Sequence, residues 1–432
     1  MVASDEGGRG LKESPDHSHL QPTIGSVLYR FSLISYGRSL LLRKIGLSDV
    51  AVSASPLRYQ RTPRPELPGP DWVRVRMHLM GICGSDIGML KATLSPQLSP
   101  FSSFPAVMGH EGVGEIVEVG ATSPFAVGQR VVGDPFLGCL VRSLPPCRPC
   151  ALGFPALCEQ TTKGRLAPGM LLGTCRDLPG TWSEETLYHT SQLHLVPDDV
   201  ADDRAVLVEP LAVAVHAVLS TPPQPGDQVL VVGDGTIGLL IVVALRLLDF
   251  DQPVTLIAHH PERAQEALLM GASDVLLEHH GLPAMAARLG AHVVRALDRS
   301  EVMIGGADVV YDAVGTQAGL DLALRATRAQ GRVSLVGSPG VLSRLDVTGI
   351  WSRNVEVRGS LAYGKESGYG GLHTFDLVMK LLQDRPQVPL GRLITHRFSL
   401  SQVQEALATL TGHGAGHPGK VVFVNAQEGR SA

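Results

Sequence analysis

Long apolar runs in the second half of the chain predict strands that are buried on both faces. Gln228 to Val232 is the first such run, and it has the continuous apolar pattern of a parallel strand. Similar runs then alternate with helical stretches, at Val254 to Ala258, Asp274 to Leu277, Asp308 to Tyr311 and Arg332 to Val336. This rhythm predicts a doubly wound parallel sheet of the Rossmann type.

The first half of the chain instead contains short strands in which apolar and polar positions alternate. Trp72 to His78, Val113 to Gly120 and Gly128 to Gly133 follow this pattern, and turns rich in glycine and proline separate them. Many short strands of this kind indicate a small barrel. The pattern returns to short strands from about Trp351, and Lys420 to Val424 is the last of them.

These patterns predict an α/β protein with one discontinuous domain and one inserted domain. We expect residues 25–215 and 346–432 to form a barrel-like domain, and residues 216–345 to form the parallel sheet. Residues 1–24 are polar and rich in Gly, Ser and His, so we expect a disordered N-terminal extension. The chain has 432 residues, 44% of them hydrophobic, which is enough for two sizeable cores.

The charge of the chain argues against nucleic acid and membranes as partners. Lys and Arg number 37 and Asp and Glu number 41, so the net charge is −4 and no broad basic face is implied. The most apolar segment, Val229 to Leu248, is about as long as a membrane span, but three glycines and an aspartate interrupt it. The N-terminus shows no cleavable signal pattern. We therefore expect a cytoplasmic protein.

A glycine-rich turn directly follows the first buried strand and opens an apolar helix. Its sequence from Gly233 to Gly238 fits the pattern G-x-G-x-x-G. Such a turn lets a pyrophosphate approach the N–H groups at the helix N-terminus, and the alternative is a purely structural turn. The residues predicted to bind a dinucleotide here are Gly233, Gly235, Thr236, Ile237 and Gly238.

The identity of the dinucleotide depends on the end of the next strand. NAD sites usually have an acid at this position to hold the ribose hydroxyls, whereas this strand ends in Ala258-His259-His260. His259, His260 and Arg263 are instead suited to contact a 2′-phosphate, which favours NADP over NAD. The alternative is that these three are ordinary polar surface residues.

The turn from Gly81 to Asp86 is the first candidate for catalytic chemistry. Within four positions it contains a thiol at Cys83, a hydroxyl at Ser85 and a carboxylate at Asp86. The thiolate can bind a metal ion, the hydroxyl can transfer a proton and the carboxylate can orient a neighbouring ligand. A cysteine between glycines is also commonly a small buried apolar residue, and this reading stays open here.

Two further segments offer metal ligands. His110-Glu111 lies between glycines, and together with Cys83 it offers a thiolate, an imidazole and a carboxylate, which can hold zinc and leave a position for substrate. Glu209 begins an otherwise apolar helix, where a buried charge is costly unless it is paired or bound to a cation. An N-cap role is the alternative for Glu209, and Pro210 fits that too.

Four of the six cysteines form a cluster in a proline-rich loop. Six cysteines without a signal sequence argue against a disulfide framework. The spacing is Cys139-x7-Cys147-x2-Cys150-x7-Cys158. Four thiolates make a closed tetrahedral zinc site with no open position, which indicates a structural role. Whether Cys139 completes the site is left open by this spacing.

Together these motifs resemble the zinc-dependent medium-chain dehydrogenases, and in particular their polyol and threonine dehydrogenase-like branch. The resemblance rests on Gly81 to Asp86, Gly109 to Glu111, Val208 to Ala212 and the dinucleotide turn, and it extends from about residue 25 to the C-terminus. It implies a GroES-like barrel made from both ends of the chain, with the Rossmann domain inserted between them. It also implies a homodimer or homotetramer.

The resemblance implies a role for each site residue. Cys83, His110 and either Glu111 or Glu209 would hold the catalytic zinc, and Asp86 would fix the tautomer of His110. Ser85 would take the proton of the substrate hydroxyl. Hydride would then pass from the carbinol carbon of an alcohol, polyol, sugar or amino alcohol to NAD(P).

The spacing of the cysteine cluster departs from the family. The family usually has two residues between the first two cysteines, and here there are seven, so we expect an insertion near Leu140 to Leu144 that loops out.

Two other functions are possible for this sequence: a zinc-free quinone or enoyl reductase, and a non-catalytic NADP-binding regulatory protein. The shape of the substrate pocket is expected to depend on the loops at Met89 to Phe104 and Arg176 to Glu185.

Overall fold

The computed structural model describes residues 22–412 and 418–425. Most of the predicted N-terminal extension therefore lies outside the described residues. Its last positions do not, because Thr23 and Ile24 already belong to the first strand.

The N-terminal part of the chain contains mostly short strands, as its sequence pattern predicts. The strands are β1 (Thr23–Tyr29), β2 (Leu57–Pro63), β3 (Trp72–Gly81), β4 (Ala106–Val107), β5 (Glu111–Val119), β6 (Arg130–Gly133), β7 (Glu185–His189) and β8 (Leu193–Leu195). The helices are α1 (Leu33–Lys44), α2 (Ser48–Ser53), α3 (Gly84–Leu90), α4 (Arg148–Ala151), α5 (Asp202–Ala205) and α6 (Val208–Ser220).

Strands and helices alternate in the middle of the chain. The strands are β9 (Val229–Val232), β10 (Val254–Ala258), β11 (Asp274–Leu277), β12 (His292–Arg295), β13 (Glu301–Ile304), β14 (Ala307–Asp312), β15 (Thr327–Leu335) and β16 (Glu356–Gly359). The helices are α7 (Thr236–Leu247), α8 (Pro261–Leu269), α9 (Gly281–Arg288), α10 (Gln317–Ala326) and α11 (Thr348–Arg353). The C-terminal part adds β17 (Lys365–Glu366), β18 (Leu372–His373), α12 (Thr374–Asp384), β19 (Ile394–Ser399), α13 (Val403–Leu410) and β20 (Lys420–Val424).

Both ends of the chain contribute to one sheet of seven strands. Its order is β19-β20-β3-β5-β6-β8, and β7 also pairs with β3. The C-terminal β20 pairs antiparallel with β3, which places Val422 opposite Gly81. Strand β5 lies on the other side of β3, with Glu111 opposite Gly81. The end of β3 therefore lies between two strands that are far apart in sequence.

The inserted part forms a parallel sheet of six strands in the order β11-β10-β9-β14-β15-β16. Strand order reverses between β9 and β14, which is the point where doubly wound sheets bind ligands. Strand β16 differs from the sequence analysis, which assigned this region to the second part of the barrel domain. It pairs parallel with β15 at the edge of the sheet. Its four residues are exposed, so the strand has no apolar run from which it could be predicted.

Helix α6 joins the cores of the two parts. It is largely buried and packs against α7 of the parallel sheet and against α12. The same apolar cluster also contains Val113 of β5 and Val132 of β6. Because α6 is held on both sides, the side chain of Glu209 in its first turn has a fixed position between the two parts.

Candidate active site and metal centres

Cys83 lies in the sharp connection between β3 and α3. It is the N-cap residue of α3, and its backbone N–H donates to Asp86 Oδ2 over 2.9 Å. Gly81 allows a close approach across the sheet, because a Cβ at this position would lie 1.9 Å from Glu111 Oε2. Ser85 is half-buried in the first turn of α3. The turn therefore fixes Cys83 and places Ser85 and Asp86 beside it.

His110 and Glu111 meet Cys83 because β5 pairs with β3. The ligand atoms of these three side chains lie within 4.8 Å of one another. His110 Nδ1 lies 3.5 Å from Asp86 Oδ1, which leaves Nε2 available to a metal ion. Burial lowers the pKa of His110, but Asp86 and Cys83 outweigh burial and hold that pKa well above its usual value. This cluster of anionic groups attracts a cation.

Glu209 approaches the same place from α6. The N-cap of α6 is Leu207, so the alternative N-cap role for Glu209 is wrong. Its carboxylate is buried and accepts a hydrogen bond from the Tyr363 hydroxyl over 3.1 Å. Burial and, next to it, the charge of Glu111 raise the pKa of Glu209 to about 7. Two buried carboxylates therefore face each other beside His110.

Lys420 is a buried cation that the sequence analysis missed. Its side chain is 3% exposed and its Nζ contacts Glu111 Oε2. Burial lowers the pKa of Lys420, but Glu111 and Cys83 outweigh burial and raise it above its usual value. One oxygen of Glu111 is thus occupied by an ammonium group, and the other remains for a metal ion. A lysine at the start of an apolar C-terminal strand is the signal that could have pointed to it.

The donor set at Cys83 fits a catalytic zinc ion. One thiolate, one imidazole and one carboxylate are the kinds of ligand that zinc accepts, and a three-ligand site leaves a position open. The structure brings together Cys83, His110 and Glu111, with Asp86 behind His110 and Glu209 close by. These are the residues that the sequence motifs point to.

The four cysteines also converge. Their sulfur atoms lie within 4.8 Å of one another, with Cys139 Sγ 3.6 Å from Cys158 Sγ and Cys147 Sγ 3.9 Å from Cys158 Sγ. A tetrahedron with Zn–S bonds of about 2.3 Å has edges of about 3.8 Å, so these distances fit zinc. The geometry therefore includes Cys139 among the four ligands, a point that the spacing alone left open. The loop closes the site with sulfur on all four corners.

The segment from Leu140 to Leu144, which was expected to loop out, does so only in part. It turns back on itself, since Leu144 N–H donates to Cys139 O. Arg142, at its centre, has no exposed surface. Val141 is also buried, whereas Leu140 and Ser143 are exposed, so the segment reaches both the interior and the surface.

The glycine turn has the geometry that a dinucleotide site requires. Gly233 has a φ of +108°, in the region that favours glycine. A Cβ on Gly238 would lie 1.9 Å from Gly233 O, so α7 can pack this closely against the turn only with glycine there. Helix α7 begins at Thr236, and its first N–H groups point into the turn.

The three residues predicted to contact a 2′-phosphate each have an acidic partner. His259 Nδ1 lies 2.8 Å from Glu278 Oε2, and His260 Nδ1 lies 3.2 Å from Asp234 Oδ2. Arg263 is buried and pairs with Glu266. The predicted contacts to a 2′-phosphate did not take these acids into account, because sequence alone does not show which acids fold against His259, His260 and Arg263.

A cavity of about 280 Å³ lies at the carboxyl ends of β14 and β15. The loop after α3, which was expected to shape the substrate pocket, contributes Ala92, Thr93, Leu94 and Pro96 to its wall. Helix α1 adds Tyr36 and Arg43, which the sequence analysis did not consider. The connection between β1 and β2 thus reaches the cleft between the two parts of the molecule.

Known proteins share both the motifs and the architecture of this chain. Residues 69–198 match the alcohol dehydrogenase GroES-like domain, and residues 236–383 match the zinc-binding dehydrogenase model. A sorbitol dehydrogenase from Arabidopsis thaliana is 30% identical over 357 residues, which cover 82% of this chain and 89% of the relative. This chain belongs to the zinc-binding alcohol dehydrogenases. It is accordingly an NAD(P)-dependent oxidoreductase, as the sequence motifs predict.

Solved structures of zinc-binding dehydrogenases and related enzymes have the same fold. A short chain alcohol dehydrogenase from Escherichia coli CFT073, complexed with NADH, superposes with a TM-score of 0.69 at 24% identity and covers 93% of this chain and 99% of its own. A zinc-binding dehydrogenase from Sinorhizobium meliloti 1021, bound to NADP, gives 0.69 at 23% identity and covers 94% and 100%. The predicted GroES-like barrel with an inserted Rossmann domain is confirmed. No helix among the described residues has the length and apolar character needed to cross a membrane.

Proposed function

We propose that this zinc-binding alcohol dehydrogenase oxidises a hydroxyl group of a polyol or a related alcohol to a carbonyl group. The convergence of Cys83, His110 and Glu111 beside the coenzyme domain is the observation that carries this proposal. The substrate class is supported by the sorbitol dehydrogenase relative. A zinc-free reductase has no use for this donor set, and neither does a protein that only binds a coenzyme.

Cys83, His110 and Glu111 are the proposed catalytic zinc ligands, with Glu209 as the carboxylate that can replace Glu111. Zinc bound there would lower the pKa of a substrate hydroxyl, and the nicotinamide coenzyme would accept the hydride. Ser85 is the proposed acceptor of the hydroxyl proton. Asp86 orients His110 through Nδ1, while Lys420 and Tyr363 each hold one of the two glutamates.

Metal analysis of a Cys83→Ser variant tests the proposal. The parent should contain about two zinc ions per chain and the variant about one, because only the four-cysteine site remains complete. Alcohol oxidation should fall by at least about 10³-fold, since metal activation contributes several kcal/mol to the barrier. Fluorescence titration should show unchanged NADH binding.

Cys175→Ala is the matched control, because Cys175 is a buried cysteine outside both clusters. It should retain both zinc ions and the parent rate. A Cys83→Ser variant that oxidises a panel of polyols at the parent rate would contradict the proposal, and so would a parent without zinc.

We also propose that the coenzyme is NAD(H) rather than NADP(H). The carboxylate missing from the end of β10 is supplied by Asp234, from within the glycine turn. Asp234 Oδ2 accepts hydrogen bonds from the backbone N–H groups of His259, at 3.0 Å, and His260, at 2.9 Å. This is the end of the second strand, where an acid usually holds the ribose hydroxyls. A 2′-phosphate would meet this carboxylate and those of Glu266 and Glu278.

Asp234→Asn is expected to change the coenzyme preference. The parent should bind NADH more tightly than NADPH in fluorescence titrations. In the variant, the ratio of the NADPH dissociation constant to the NADH dissociation constant should fall by about tenfold. The reason is that a carboxylate close to a 2′-phosphate costs about 1.4 kcal/mol or more of binding free energy. Glu262→Gln removes an exposed charge nearby and should leave the ratio unchanged. A parent that binds NADPH more tightly would rule out the role of Asp234.

Homodimeric or homotetrameric assembly in the cytoplasm also remains part of the proposal. The edge strand β16 offers unpaired backbone groups to a second copy, and the exposed side chains of Val341 and Trp351 offer apolar contacts. Sedimentation velocity of the full chain would test it, and a monomer at micromolar concentration would contradict it.

A further inference from the structure

The buried arginine of the cysteine loop is an unusual feature of this chain. Arg142 has no exposed surface, and its guanidinium makes five hydrogen bonds. All five go to backbone carbonyls, which belong to Leu137, Lys163, Leu166, Ala167 and Gly169 at 2.6–3.1 Å. Carbonyl groups are dipoles, so they solvate the guanidinium but do not neutralise its charge. A buried charge of this kind is costly unless an anion lies near it.

The anion nearest in the sequence is the cysteine site itself. Arg142 follows Cys139 by three residues, and its N–H donates to the carbonyl of Cys139. Zinc with four thiolates has a formal charge of −2, and metal binding releases the thiol protons, so this charge appears together with the metal. Burial lowers the pKa of Arg142, and the nearby groups of Cys175, Cys158, Asp177 and Cys139 act against that effect.

Hydrogen-bond donors around the sulfur atoms point to the same anionic state. Cys139 Sγ lies 3.2 Å from Gln160 Nε2 and 3.3 Å from the N–H of Cys147. The N–H of Gln160 lies 3.4 Å from Cys158 Sγ, and the N–H of Glu159 lies 3.5 Å from Cys147 Sγ. These donors stabilise thiolates, as the groups around zinc ligands commonly do.

We propose that Arg142 is a positioning residue of the four-cysteine site, whose fixed positive charge favours the zinc-bound state and whose hydrogen bonds join that site to residues 163–169. The longer spacing between Cys139 and Cys147 thus adds a buried positive charge beside the site. Zinc binding and the folding of residues 163–169 are coupled through this side chain. In the metal-free protein Asp177 is the remaining carboxylate near this charge.

Zinc release from the full-length holoenzyme tests the proposal. Arg142→Met keeps the volume of the side chain but removes its charge and its donors. A chromogenic chelator should remove the structural zinc at least about tenfold faster from this variant than from the parent, which is the usual range for a residue behind a ligand. The release of the catalytic zinc and the affinity for NADH should not change. Arg148→Met, an exposed arginine of the same loop, is the matched control and should behave like the parent.

Thermal unfolding separates this role from a purely structural one. If Arg142 favours the zinc-bound state, Arg142→Met should lower the melting temperature of the zinc-loaded protein more than that of the metal-free protein. Equal losses in both forms, with zinc release at the parent rate, would overturn the proposal.

Arg142→Lys provides a second test, also where the Met variant does not fold. Lysine keeps the charge but cannot reach five carbonyls, so zinc release should stay within about threefold of the parent even if the melting temperature falls. If the Lys variant released zinc about tenfold faster than the parent or more, the positive charge would not be what retains the zinc.

Discussion

The two candidate zinc sites are built in different ways. Cys83, His110 and Glu111 come from the end of β3 and the start of β5, and Glu209 comes from α6. The four cysteines come from a single loop of 20 residues, from Cys139 to Cys158. The first site has mixed ligands and a position for substrate, whereas the second has sulfur on every corner. The site that joins several elements can take part in chemistry, and the site within one loop stabilises that loop and the segment bonded to it.

A buried cation lies at each site, Lys420 at the first and Arg142 at the second. The two cations differ in the groups that they contact. Lys420 contacts a carboxylate of the proposed catalytic site, so its charge is paired whether or not metal is present. The guanidinium of Arg142 donates only to carbonyl groups, and the anions near it are Asp177 and, when zinc is bound, the four thiolates. Loss of the metal should therefore affect the cysteine loop more than the active site.

The strongest test of this comparison is to remove one ligand from the closed site. Cys147→Ser should lose one zinc ion per chain and lower the free energy of unfolding by more than about 4 kcal/mol, as expected for loss of a structural metal. The catalytic zinc should stay, because none of its ligands lies in the loop. Metal analysis and denaturant unfolding measure both effects.

Cys83→Ser is the reciprocal control for this experiment. It should lose activity and one zinc ion but retain most of the stability of the parent. If Cys147→Ser abolished activity at once without a change in stability, the assignment of the two sites would be reversed.

The parts of the fold that could be predicted are those that depend on residues close together in the sequence. The strands Val254–Ala258, which is buried, and Asp274–Leu277, which is half-buried, have the predicted bounds, since an apolar run in a parallel sheet needs no partner to be recognised. The turn from Gly81 to Asp86 and the pair His110-Glu111 were found for the same reason. Each has its reactive groups within a few positions.

The contacts between distant segments could not be predicted. Lys420 meets Glu111 only because β20 and β5 both pair with β3, and the sequence does not specify that register. Arg142 lies in the segment that was expected to loop out, and nothing local shows that carbonyls from residues 163–169 surround it. Asp234 lies in a variable position of the glycine pattern, which gives no sign that it reaches His259.

A smaller effect is expected at Lys420, the cation of the open site. Lys420→Met leaves the carboxylate of Glu111 buried without its ammonium partner, which should lower the free energy of unfolding by about 3 kcal/mol in protein freed of metal by dialysis. In the zinc-loaded protein the loss should be smaller, because zinc can pair with the same carboxylate. The double variant with Glu111→Gln removes both charges, so its loss should be less than the sum of the two single losses. Additivity of the two losses within about 0.5 kcal/mol would mean that the two side chains are not coupled.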